Sequence, residues 1–216
     1  MKEKLDQIVI DAEFLLISVI QGVALATLAS NATPIIASFQ LEYWLYIVSA
    51  FLFILIFWSQ AIMHVLGFIR WPLDMIHNFL YFLASLFEVM AFSQMTNPFL
   101  WFSMLFIFVL VSALLYYYDF LMIKARKSDL SDSPAGKILY NDLYKEQIFY
   151  MKIFVPLGLL FNFGCAFLIH QYPQIFIGGQ SHLILVGLQV LFGLTILVNS
   201  VKTFNRRLNL MQKQTF

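Results

Sequence analysis

The chain has 216 residues, of which 61% are hydrophobic, 18% aromatic and 12% charged. Soluble domains carry about twice that charge, so an ordinary soluble domain, a disordered tail and a coiled coil are excluded. A net charge of +1 offers no basic surface for a nucleic acid. The single cysteine, Cys165, makes neither an internal disulfide nor a cysteine-based metal cage.

A bilayer core takes about 20 mostly apolar residues per helix. Six stretches meet that need, at about 8–32, 43–69, 73–95, 99–123, 153–171 and 182–201. The expected fold is therefore an all-α polytopic membrane bundle of six transmembrane helices, with residues 1–216 forming a single integral membrane domain. Proline lacks a backbone donor and disfavours helix in the residue before it, so it marks the breaks. Pro34 follows the first span, Trp71-Pro72 parts the second from the third, and Asn97-Pro98 parts the third from the fourth. Tyr172-Pro173 and Gly178-Gly179 part the fifth from the sixth.

The lysines and arginines all fall on one side of this plan. Lys2 and Lys4 precede the first span, Arg70 follows the second, residues 124–152 hold six more, and Lys202, Arg206, Arg207 and Lys213 close the chain. The positive-inside rule then places both termini in the cytoplasm of a multi-pass protein of the cell membrane. Trp44, Trp71 and Trp101 fall near span ends, where an aromatic belt would sit. Asp6, Asp11 and Glu13 interrupt the first apolar run, which argues against a cleaved signal peptide. The connector 124–152 reads as a solvated loop, then a helix capped by Ser133 and opened by Pro134. That helix would run into the fifth span with a kink at Pro156. Ser18, Gly22 and Ala29 share one face of the first span and read as a close helix-packing surface.

Ionisable residues inside spans are costly, and they mark the place to look for chemistry. The third span carries Asp74, His77, Tyr81, Ser85 and Glu88 in one stripe about 80° wide and about 21 Å long. Such a stripe faces other helices or water rather than lipid. Glu88 lies too deep for its short side chain to reach an interface, and it reads as a carboxylate for a proton or cation, or as a structural acid. Gln60 and His64 of the second span, spaced i and i+4, and Glu13 of the first offer partners for the same path. Asp119 lies at a matching depth in the fourth span. Gln21, Asn162 and Gln189 read as amides that join helix to helix.

Glu13, His64, Asp74 and His77 have the ligand chemistry for zinc or iron. The spacings His-x-x-x-His and His-Glu-x-x-His are missing, however, so no metal is expected. There is no Gly-x-Ser-x-Gly elbow, Walker loop, dinucleotide fingerprint or potassium-filter sequence, and no cofactor is expected. Three classes of function remain. The favoured one is a permeation protein, a channel or a proton- or cation-coupled transporter for a small ion or solute. It would act alone or as a homo-oligomer with its pore between subunits. The second is a non-catalytic subunit or effector with a protein partner on the cytoplasmic side. The third is an intramembrane lipid-modifying enzyme using the carboxylate and histidine cluster.

Overall fold

A computed structural model describes residues 2–67, 75–125, 127 and 134–212, with the side chains of 2–7, 9, 10, 64–67, 134, 135 and 208–212 also outside the description. Ser133, Trp71, Asp74 and the side chain of His64 therefore lie outside the described residues. Among the described residues every regular element is helical. The main helices are α1 (Lys2–Ala37), α2 (Trp44–Gly67), α3 (Met75–Phe92), α4 (Pro98–Ala125), α5 (Pro134–Phe149), α6 (Val155–Gln171) and α7 (His182–Gln212). Six helices are long and apolar enough to cross a membrane, the fifth being the continuous run through α5 and α6.

Side-chain pairings fix the direction of each helix. Glu13 meets Asn78 and Gln21 meets Tyr81, so α1 and α3 run parallel. Tyr46 meets His182, Ser49 meets Gln189 and Gln60 meets Ser200, so α2 and α7 run parallel. Phe102 packs on Phe161 of α6 and Tyr116 on Tyr150, five residues before α6 begins, so α4 and α6 are antiparallel. The start of α1 and the end of α7 thus lie at one end of the bundle, here the terminal end. The opposite end is the far end.

Local chemistry sets the helix boundaries. Asn97 caps α4 by accepting from the Leu100 N–H at 3.2 Å, and Pro98 takes the first helical position, where no donor is needed. Pro34 does not end the first helix as expected; α1 runs on to Ala37 with Pro34 inside it. The helix stops instead at Phe39, in the left-handed region at φ 50°, with Gln40 N–H bonded to Ile35 O at 3.0 Å and Phe39 N–H to Ile36 O at 3.1 Å. That is a Schellman stop built on a residue other than glycine. Between α5 and α6 the chain makes a π turn over Tyr150–Phe154. Pro156, the next helical proline, has no N–H for the carbonyl four residues back, and a local widening of the helix accommodates that loss. The far-end link between α6 and α7 also needs a special residue: a Cβ on Gly179 would lie 2.6 Å from Ile175 O.

The core is aromatic. Trp101, Tyr46, Phe92 and Phe102 are fully buried. Tyr46 meets Trp101 edge-on at 5.3 Å, and Phe108 takes Phe57 edge-on at 5.5 Å. Such pairs add about 0.5–1.5 kcal/mol beyond their area. Where lipid surrounds the helices, packing and interhelical hydrogen bonds drive association, because lipid tails are as apolar as the core. Trp101 is therefore a core residue here rather than a belt residue. The Ser18, Gly22 and Ala29 face is exposed, and no atom lies within 4 Å of a Cβ placed on Gly22. The bundle packs instead on the face of α1 that carries Ala24, Leu28 and Ile35.

Candidate functional site

Five helix pairs pack closely in succession: α6 on α4, α4 on α3, α3 on α1, α1 on α2, and α2 on α7. They wrap a cavity of about 400 Å3 inside the bundle. That lies within the usual range for small-molecule sites, about 300–1,000 Å3. Most of the wall is apolar, with Leu52, Phe53, Phe57, Phe108 and Phe192 among its residues. From Ser49 to Gln60, both in the wall, α2 rises about 16 Å at 1.5 Å per residue.

Toward the far end the cavity meets a polar network centred on Gln189. Its Oε1 accepts from Ser49 Oγ at 2.9 Å and from Trp101 Nε1 at 3.0 Å, and its Nε2 donates to Asn162 Oδ1 at 3.1 Å. Asn162 also donates back to the Gly158 carbonyl at 2.8 Å. Beyond the network, Tyr46 Oη and His182 Nδ1 share a hydrogen bond of 2.9 Å. Each group here serves a buried partner, as polar side chains from four different helices must when water is excluded.

The terminal end of the cavity holds the titratable groups. His77 Nε2 lies 3.4 Å from Asp119 Oδ1, and Asn78 Nδ2 donates to Glu13 Oε1 at 3.3 Å. His77 and Asn78 are neighbours at the start of α3, so they draw carboxylates from α4 and α1 to one place. Beside them Gln60 Nε2 donates to Tyr150 Oη at 3.0 Å and to Ser200 Oγ at 2.9 Å. The Tyr150 ring stacks on Tyr116, with centroids 5.5 Å apart. Lysine and arginine are missing from the wall among the described residues. Ser112 is 8% exposed and lines the cavity, and its Oγ has no protein partner among the described residues.

Of the residues singled out in the sequence, Glu13, Gln60, His77 and Tyr81 line this one cavity. Ser85 and Glu88 are buried on α3 but are not in its wall. Glu88 has Gln21 of α1 beside it, and neither of its carboxylate oxygens completes a hydrogen bond among the described residues. Gln21 Nε2 reaches Tyr81 Oη at 3.4 Å, and the Tyr81 ring stacks on Phe57 in the cavity wall. Gln21 and Tyr81 thus connect Glu88 to the cavity. Sequence reasoning undervalued Asp119, Tyr116, Ser112 and Tyr150. Asp119 was legible as a buried acid in an apolar span; the tyrosines and the serine carried no signal apart from the packing that turns them inward.

Among the described residues no three histidine, cysteine or acidic side chains come together as a metal-binding group. No protein family matches this chain, nor does any curated protein or solved structure.

Proposed function

We propose that the chain is a permeation protein of the transporter kind, one that binds a small solute inside the bundle and couples its movement to a proton or cation. The observation that carries this reading is the cavity: about 400 Å3, apolar along its length, with Glu13, His77 and Asp119 at one end. A mostly apolar wall disfavours a standing water column, which separates this reading from an open ion pore. Glu88 supplies the coupling carboxyl, joined to the solute site through Gln21 and Tyr81. An intramembrane carboxyl inside a bundle is by default a functional group. The basic residues gathered on one side support a cytoplasmic position for the Glu13 and Asp119 end of a cell-membrane protein. A subunit that only fills an assembly would pair off its polar groups and leave no cavity, which makes that class the weaker reading.

Reconstitution into vesicles holding a pH dye tests this. Proton, potassium and sodium gradients are imposed in turn, with and without organic solutes on the opposite side. A coupled transporter moves the ion only with its solute, whereas a pore conducts the ion alone.

A further inference from the structure

Five helix pairs close the wall of the cavity, and the sixth seam, between α6 and α7, is built differently. These two helices are not among the closely packed pairs. They meet through side chains: Phe154, in the π turn that leads into α6, and Phe192 lie 5.4 Å apart between ring centroids, and Gln189 bonds Asn162 at 3.1 Å. The residues of the cavity wall that are also exposed are Leu157, at 49%, and Leu188, at 51%. One stands on each side of this seam. A side chain that lines a cavity and also faces outward marks the mouth of that cavity. The mouth is apolar and sits partway along two helical runs long and apolar enough to cross a membrane, so in a bilayer it would face lipid rather than water.

The charge of the wall narrows the ligand. Its acidic and imidazole groups near the terminal end are Glu13, Asp119 and His77, two acids against one imidazole, with no lysine or arginine in the wall among the described residues. The apolar stretch of about 16 Å along α2 precedes them. Ser112 Oγ, buried in the wall without a protein partner, is a further group placed for a ligand.

We propose that the solute is an amphipath with an apolar tail and a cationic head, and that it enters from the bilayer through the α6–α7 seam. The tail lies along the aromatic wall and the head meets the carboxylates at the terminal end. This rests on the transport reading above and names its solute class.

The test uses the full chain in phosphatidylcholine vesicles. Three probes share one alkyl chain with a photoactivatable diazirine at its end; their heads are trimethylammonium, sulfate and hydroxyl. Peptide mapping locates the labels. The ammonium probe is expected to label the wall around Leu157, Leu188 and Phe192 about tenfold more than the other two, as a complementary charge pairing allows. In a Cys165→Ala background, Phe154→Cys with Phe192→Cys is bridged by a bifunctional methanethiosulfonate, which forms a disulfide with each thiol and releases methanesulfinate. Bridging is expected to slow labelling about tenfold, and reduction to restore it, so each molecule serves as its own control for folding. Leu188→Trp, a change at an exposed position, is expected to narrow the same mouth and slow labelling without lowering Tm. Equal labelling by all three heads would overturn the cationic class. Unchanged labelling after bridging would overturn entry through the seam. Proton movement is followed in the same vesicles. Labelling that depends on the seam with no coupled flux would retire the transport reading alone, whereas coupled flux indifferent to the bridge would retire the seam alone.

Discussion

Trp101 of α4 donates from Nε1 to Gln189 Oε1 of α7 at 3.0 Å, across the width of the bundle. The same oxygen takes the Ser49 hydroxyl of α2, and the same amide gives a proton to Asn162 of α6. One glutamine therefore ties four helices and closes the far end of the cavity.

Gln189→Leu removes all three bonds and leaves an indole N–H, a hydroxyl and an amide oxygen buried. Interhelical hydrogen bonds in membranes average about 0.6 kcal/mol and reach about 1.7, so a loss of about 2–4 kcal/mol is expected. Thermal unfolding in detergent measures it. Ser49→Ala should lose far less, because it removes one bond and one partner together. Equal losses for the two variants would mean that Gln189 is not the hub.

At the terminal end, Arg207 is 2% exposed and grips two acids of α5: its Nε lies 3.1 Å from Asp142 Oδ2, and its Nη2 bonds Glu146. This clasp holds α5 against α7. Arg207→Met leaves Glu146 without its cation and Asp142 with Arg206 alone. Removing one partner of a buried pair costs about 3–5 kcal/mol, and the partial exposure of the acids puts this loss near the lower figure. Limited proteolysis should then cut within 134–149 before the membrane helices. The neighbouring Arg206, half-exposed and 2.5 Å from Asp142, should contribute about 0–1 kcal/mol when changed to methionine.

Gly193 sits in the cavity wall on α7, and a Cβ there would meet Leu52 at 3.5 Å, an ordinary contact. Gly193→Ala should therefore raise stability by about 0.5–1 kcal/mol through helix propensity. Gly193→Phe should fill the cavity instead. Its expected signature is a loss of probe labelling of about tenfold or more in a protein that still folds. Folding can be confirmed by gel filtration and helical circular dichroism. Full labelling in Gly193→Phe would place the ligand elsewhere.

Much of the fold was legible because bilayer thickness leaves few choices for an apolar chain. The spans, their breaks at Asn97-Pro98 and Gly178-Gly179, and the alternation of direction all follow from length and turn chemistry. Pro34 misled because a proline near a helix end can be absorbed when Phe39 supplies the actual stop. The small-residue face of α1 misled for a related reason: small residues permit close packing without requiring it. The candidate site was half legible. Glu13, His77 and Tyr81 could be placed on faces by helical geometry, since one helix is rigid and its period known. Which neighbouring helix each face meets depends on the bundle order, and a single sequence does not encode that order in any local pattern. Gln189 and Trp101 lie far apart in the chain, and nothing near either residue announces the other.

Proton movement driven by an ammonium-headed amphipath is the most direct measurement, read in sealed vesicles with wild-type protein beside Glu88→Gln. Coupled transport predicts that an outward probe gradient drives protons inward through the wild type. In Glu88→Gln the proton flux is expected to fall at least tenfold while probe labelling of the cavity stays within about twofold, because Glu88 lies outside the wall. Proton flux that runs without the amphipath, or that Glu88→Gln leaves unchanged, would contradict a coupled transporter built on this cavity.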